Sequence, residues 1–294
     1  MLWLVLAVLC NLSVAMLFKY SERRGLDRAG LLTVNYAVAC IVAIALLAST
    51  DDDAGLSFGV GVLALGIGTG VLFIGGYYLF AYAIREAGMG LSTGILKIAV
   101  VLPVLASWFI WNEMSSPLQL SGLVLAGAAF FLIARPPLPV GRSASTGREH
   151  GRLWMVGALG LLFFAGGLAD VAMKTFGELY APTNSRTLFL SIVFGVAFLV
   201  GLGLVVGKGM RTRRWPGRPA YAWGIVLGLV NYGSAAFILG AIDELPGPFV
   251  FPVNNIATVG GAAALGIGVW GEQLSKANWA GLAMAAIALA LLWG

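Results

Sequence analysis

Ten long apolar runs, separated by short polar or charged interruptions, organise the whole chain. They cover residues 2–20, 29–49, 58–84, 91–112, 118–134, 153–174, 187–207, 220–241, 249–270 and 277–293. A helix needs about 20 apolar residues to cross a hydrocarbon core of about 30 Å, so each run predicts one transmembrane helix. The interruptions carry the charges and breakers: Ser21 to Arg28, Asp51 to Asp53, Arg85 to Gly90, and Glu113 to Pro117. Ser116 followed by Pro117 predicts an N-cap and a first-turn proline for the fifth helix. The longest interruption, 135–152, holds Pro136, Pro137 and Pro139 among Ser, Gly and Arg residues, which reads as a linker. The expected domains are therefore two five-helix segments, 1–134 and 153–294. Their class is all-α membrane protein.

The two segments repeat. At a shift of 158 residues, Gly66, Ile67, Gly70, Gly75, Ala83, Ile84 and Glu86 fall on Gly224, Ile225, Gly228, Gly233, Ala241, Ile242 and Glu244. With one residue more, Trp111, Glu113, Gly122, Leu123 and Ala126 fall on Trp270, Glu272, Gly281, Leu282 and Ala285. Both copies of the first stretch contain the small-xxx-small spacing that lets helices pack closely.

Composition sharpens the class. Of the 294 residues, 60% are hydrophobic and 11% charged, about half the charged fraction of a soluble domain. The mean hydropathy of +0.92 leaves no polar surface for a water-exposed globule. Cys10 and Cys40 both lie inside apolar runs and read as packing residues, not as a disulfide or a metal site. The first run lacks a basic leading region and a small-x-small cleavage site, so it is expected to be a retained helix.

Charge also sets orientation. The odd-numbered connections carry 15 basic residues and the even ones only Lys174 and Arg186. Positive residues stay cytoplasmic, so both termini are expected outside. The net charge of +5 thus reports topology instead of a nucleic-acid surface. Five helices per half is an odd number, so the halves insert in opposite senses, and the expected fold is ten transmembrane helices as two inverted repeats.

Glu113 at the end of the fourth run with Gly122 nine positions on, repeated as Glu272 and Gly281, together with Pro103 ten residues before Glu113, resembles the drug/metabolite transporter superfamily in its ten-helix EamA-like form. The resemblance covers nearly the whole chain. Ala262 stands where the second half would repeat Pro103, and members of the superfamily are typically drawn with cytoplasmic termini, opposite to the charge bias here. The resemblance implies transport by alternating access, in an inner cell membrane, as a monomer or homodimer.

Inverted repeats place a substrate site near the midplane where the halves meet, and polar groups inside spans face such interiors. Lys97 lies about 9 Å into the fourth helix at 1.5 Å per residue. It can receive a carboxylate or phosphate, or snorkel to the interface. Asn254 and Asn255 occupy the matching place in the ninth run and can bind substrate or bridge helices. Asp170 is the candidate coupling residue, with protons as the coupling ion; its alternative is an i,i+4 ion pair with Lys174. Asn11, Asn231 and Tyr232 fall near the middle of their spans, and Tyr77 and Tyr78 nearer the cytoplasmic end of the third. All five are candidate substrate contacts, with packing as the other reading. The turn Leu245-Pro246-Gly247-Pro248 reads as a tight connection or as an unwound helix end.

The only histidine, His150, is in the linker, and no serine elbow, HExxH or phosphate loop occurs. No enzyme activity, metal or cofactor is expected, and the triplet Asp51 to Asp53 reads as a solvated turn. The expected function is secondary transport of a small polar metabolite, foremost export of amino acids and related compounds. Multidrug or organic-cation export and organic-anion or phosphate-ester exchange are the alternatives, with a membrane enzyme or scaffold more remote.

Overall fold

The computed structural model describes residues 1–49, 59–87, 89–133, 149–213, 215–270 and 275–293. The triplet Asp51 to Asp53, linker residues 135–148 and Glu272 lie outside the described residues. Within them all regular structure is helical: α1 (Leu2–Arg23), α2 (Arg28–Ser49), α3 (Val60–Ala87), α4 (Met89–Ile98), α5 (Val101–Ile110), α6 (Pro117–Ile133), α7 (Glu149–Thr175), α8 (Arg186–Thr212), α9 (Arg218–Glu244), α10 (Gly247–Trp270) and α11 (Lys276–Trp293). A π-helical turn, Phe176–Tyr180, extends α7. Six helices are long and apolar enough to cross a membrane.

The fourth predicted run is the exception to one run, one helix, because it divides into α4 and α5 at Ala99 and Val100. Pro103 has no N–H to give Ala99, and in a continuous helix its ring would meet that carbonyl. The chain tightens instead. Val100 N–H donates to the Lys97 carbonyl at 3.4 Å and Leu102 N–H to the Ala99 carbonyl at 3.0 Å. The α-helical acceptors of those two donors, Leu96 and Ile98, lose them. The turn after α9 is the tight connection: Phe249 and Val250 both donate to the Pro246 carbonyl at 3.0 Å, and α10 starts at Gly247.

Two compact units result, Met1–Ile74 with Ala172–Leu245, and Gly75–Val171 with Pro246–Gly294. Each draws helices from both sequence halves. In the first unit α2 packs on α8 and α9, and α1 on α9. Two of its closest approaches of helix to backbone carbonyl are at glycines and are reciprocal. A Cβ on Gly70 would lie 2.6 Å from the Val193 carbonyl oxygen and 2.8 Å from Val196. A Cβ on Gly228 would lie 2.6 Å from the Asn35 carbonyl oxygen and 2.7 Å from Val38. Gly66 meets Ile192 as Gly224 meets Val34. Each contact is its counterpart with the roles of the halves exchanged, the relation a two-fold axis produces. Tyr36 stacks on Phe194, its own counterpart, with ring centroids 6.3 Å apart. Cys10 and Cys40 are free thiols packed beside Gly233 and Gly195.

In the second unit α6 packs along α11, and α10 on α5, α6 and α11. The two small-residue faces match position by position: Gly122, Ala126 and Ala129 are buried, as are Gly281, Ala285 and Ala288. Their N-termini use the same capping box. Gln119 N–H donates to Ser116 Oγ at 3.2 Å while Gln119 Oε1 accepts from Ser116 N–H at 3.0 Å. Asn278 and Ser275 do the same at 3.2 and 3.0 Å. Asn112, at φ 56°, ends the α5 segment in a left-handed conformation that Asn tolerates.

If backbone approach at the repeated glycines holds the first unit together, Gly228→Val must push α9 off α2. Thermal unfolding in detergent should show a loss of about 1–3 kcal/mol, the usual cost of overpacking. Gly68→Val, where a Cβ would meet nothing within 4 Å, should behave nearly as the parent. Equal losses at the two positions would disprove the packing role.

Candidate functional site

Lys97 is in the last turn of α4, where the helix dipole favours a cation. Its Nζ donates to Asn255 Oδ1 on α10 at 2.9 Å. Asp170, on α7, lies within Coulombic range of the Lys97 ammonium. All three side chains are half-buried, so they are neither sealed in a core nor fully solvated. The three come from positions far apart in sequence, and all belong to the second unit.

Two glycines explain how α7 reaches the break. A Cβ on Gly166 would lie 2.6 Å from Leu96 Cδ1, and one on Gly167 would lie 2.7 Å from the Ala99 carbonyl oxygen and 2.5 Å from Leu102 Cδ1. Asp170 follows them by three and four residues, so it shares their helix face. α7 thus delivers a carboxylate beside a lysine at the point where the backbone of α4 and α5 is interrupted.

On α10 the polar side continues. Thr258 lies three and four residues past Asn255 and Asn254, on the same face. It is buried, and its hydroxyl has no hydrogen-bond partner among the described residues. Ser107 on α5 is likewise a buried hydroxyl without such a partner. Pro252, inside α10, removes one backbone donor a turn before Asn255. The N-terminus of α10 is closed by Glu113, whose Oε2 accepts from Gly247 N–H at 3.1 Å. A carboxylate there complements the positive end of the helix.

The other sequence candidates are placed differently. Tyr77 and Tyr78 meet edge to face, with centroids 6.0 Å apart, on the portion of α3 in the second unit. Asn11, Asn231 and Tyr232 belong to the first unit. There Asn11 Oδ1 accepts from Ser234 Oγ at 2.8 Å, which joins α1 to α9. Tyr232 is buried with its ring 6.1 Å from Phe194. Asn231 is half-buried on α9.

Several polar contacts were not legible in the sequence. Lys174 has a fully buried side chain and pairs with Glu178 at 2.5 Å across the entry to the π turn. Arg186 pairs with Asp243, and the N-terminal amine with Glu244 at 2.9 Å. Charge at helix ends hinted at such pairs, but partner choice depended on which ends meet. On the opposite end of the first unit, Lys208 Nζ meets Asp27 Oδ2 at 2.6 Å while Gly30 N–H caps Oδ1 at 2.8 Å. Partial burial pushes the Asp27 carboxyl up, but these hydrogen bonds and the Lys208 charge outweigh it and leave its pKa below the ordinary aspartate value. No group of three or more His, Cys, Asp and Glu suited to a metal ion occurs among the described residues.

No family model matches this sequence. An uncharacterized protein of Haemophilus influenzae is 27% identical over 303 residues, a match covering 99% of this chain and 97% of that protein. Among solved structures, a protein crystal structure 15% identical in sequence is similar with a TM-score of 0.76, over 99% of this chain and 94% of the other. At that identity the likeness is one of fold. End to end, the chain is similar in sequence to a protein of undescribed activity and in architecture to a known fold.

Proposed function

We propose that this protein is a secondary transporter of the drug/metabolite type, a multi-pass protein of the inner cell membrane. Ten spans form two inverted five-helix repeats, which expose a central site to each side in turn. Its cargo is a small polar metabolite, foremost an amino acid or a related compound, and its physiological direction is export. The sequence carries no ATP-binding motif, so a gradient or exchange drives the cycle, with protons as the coupling ion. It is a carrier and not an enzyme.

The observation that carries this reading is the Lys97–Asn255 hydrogen bond beside Asp170 at a helix break. Ionisable groups within apolar helices are costly and mark pathways or sites. Interrupted helices in transporters gather polar backbone at the same place. With Lys97 as an ammonium and Asp170 as a carboxylate, the site is neutral as a whole. A zwitterion presents an anion to Lys97 and a cation to Asp170 and leaves the site neutral. A singly charged cargo leaves one protein charge uncompensated in a poorly solvated place. This favours amino acids over organic cations and over phosphate esters.

Three outcomes test the reading. First, vesicles containing the purified protein should take up amino acids from a radiolabelled mixture. Lys97→Met keeps the stem and deletes the charge, and should lower apparent affinity by about a hundredfold or more, while Lys97→Arg keeps part of it. Normal transport by Lys97→Met would remove Lys97 from the site. Second, Asp170→Asn should abolish uptake driven by a proton gradient, while exchange of internal for external amino acid persists at lowered apparent affinity. Gradient-driven uptake with parental pH dependence in that variant would reduce Asp170 to an ion-pair partner. Third, a reporter fused after Gly294 should be active only on the non-cytoplasmic face, as the 15-to-2 basic asymmetry requires. Cytoplasmic activity would reverse the orientation.

A further inference from the structure

Two connections meet at the end of the first unit that holds the Asp27–Lys208 pair. Residues 19–28 and 208–218 together carry nine basic and two acidic residues. The contacts that join them are specific. Asp27 Oδ2 accepts from Lys208 Nζ at 2.6 Å. Arg24 lies 5.2 Å over the Tyr20 ring, which in turn meets Trp223 of α9 with centroids 4.5 Å apart. Arg213 ends α8 in the left-handed conformation, at φ 52°, and turns the chain back. The connection that follows is drawn onto the helix ends. A Cβ on Gly209 would lie 2.9 Å from the Trp215 ring, and one on Gly30 would overlap Pro216.

Between the ends of α2 and α8 lies an open cavity of about 600 Å³, lined by Asp27, Lys208, Thr212 and Trp215. Its walls combine charge with apolar surface. The Lys208 side chain is 51% exposed although it is paired, and an ammonium has three donors. Trp215 is 60% exposed and Met210 70%, in the same segment as the exposed Arg211, Arg213 and Arg218. Bulk water gives a basic loop no reason to present a tryptophan and a methionine. The boundary between headgroups and acyl chains does, because cations meet lipid phosphate there and aromatic rings sit at headgroup level.

We propose that this cavity binds the headgroup of an anionic phospholipid, with Lys208 on the phosphate and Trp215 against the adjoining glycerol and acyl chains. Asp27 contributes to the choice of headgroup. Its oxygens accept from Gly30 N–H and from Lys208, and a carboxylate has acceptor sites beyond these two. It can therefore take a hydroxyl of a polyol headgroup such as that of phosphatidylglycerol. The surrounding arginines set the sign: they favour a lipid of net negative charge over phosphatidylethanolamine, whose ammonium they repel. α2 and α8 come from opposite halves of the sequence, so a lipid seated between their ends ties the halves together at the membrane surface. Such a site needs only that the chain spans a membrane. It is independent of the cargo and of the residues around Lys97.

The test is a titration of the purified protein in detergent with phosphatidylglycerol, phosphatidylethanolamine and soluble glycerol 3-phosphate, read by native mass spectrometry and by the unfolding temperature. Phosphatidylglycerol should bind at least about fivefold more tightly than phosphatidylethanolamine and raise the unfolding temperature. Lys208→Gln should weaken its binding about five- to tenfold, the share of one cation beside an anionic headgroup, and Lys208→Arg should keep it. Trp215→Ala leaves every charge in place and should also weaken the lipid several-fold. Lys276→Gln removes an exposed cation of the second unit and should change the affinity by less than about twofold.

Equal losses in Lys208→Gln and Lys276→Gln would overturn the site in favour of diffuse surface charge. Equal affinity for the two lipids would overturn the anionic headgroup. Displacement of the lipid by an equal concentration of glycerol 3-phosphate would remove lipid as the occupant and leave a site for a soluble phosphate. If Lys208→Gln does not elute as a monodisperse species, Trp215→Ala carries the comparison, and undiminished lipid binding in that variant would equally defeat the site.

Discussion

Close approach of helix backbones at small residues is the constraint on which the rest of this structure depends. Lipid offers helices no hydrophobic reason to associate, so association relies on contact area and on polar groups that meet across the interface. Here the contact is made where glycines face carbonyl groups, Gly70 against Val193 and Gly228 against Asn35. The same pair of contacts made twice, with the halves in exchanged roles, binds segments of sequence that are far apart. It also forces each compact unit to contain helices from both halves, because a glycine of one half finds its partner carbonyl in the other.

That arrangement makes a buried polar centre affordable. A lysine inside an apolar helix is tolerated when a carboxylate and an amide share its environment. Asp170 and Asn255 supply these to Lys97. The glycine face of α7 brings Asp170 to the place where Pro103 has already interrupted the backbone. Proline, glycine pair and polar cluster thus act together: the first interrupts the helix, the second lets a neighbour in, and the third sets Lys97 against Asn255 at the break. Glu113 adds a further tie, since its carboxylate closes the N-terminus of the helix that carries Asn255.

The two ends of the first unit are handled by ordinary surface electrostatics. Asp27 joins the N-terminus of α2 to Lys208 of α8. Arg186 with Asp243 and the amino terminus with Glu244 join other helix ends. These pairs are partly solvated and each contributes modestly. They fix which helix ends lie together while the glycine contacts fix how closely the shafts approach. The Lys174–Glu178 pair differs in having its cation fully buried, and it sits where α7 changes to a π turn.

The amino-acid sequence by itself determined the helices. Apolar runs of about 20 residues have one way to satisfy their backbone in hydrocarbon, and the observed helices start and stop within a few residues of the breakers that bound those runs. It also displayed the 158-residue repeat and put Lys97, Asp170 and Asn255 among the intramembrane polar residues, since these stand out against apolar neighbours. It did not reveal the division of α4 from α5, because Pro103 can sit in the first turn of a helix as well as interrupt one, and local pattern does not distinguish the two. Nor did it reveal that Lys97 meets Asn255, that Lys174 turns to Glu178, or that Asn11 turns to Ser234. Partner choice among buried polar groups depends on which helix faces meet, and hydropathy carries no information about facing. Only the tertiary structure decided that, through the glycines that allow some faces to touch.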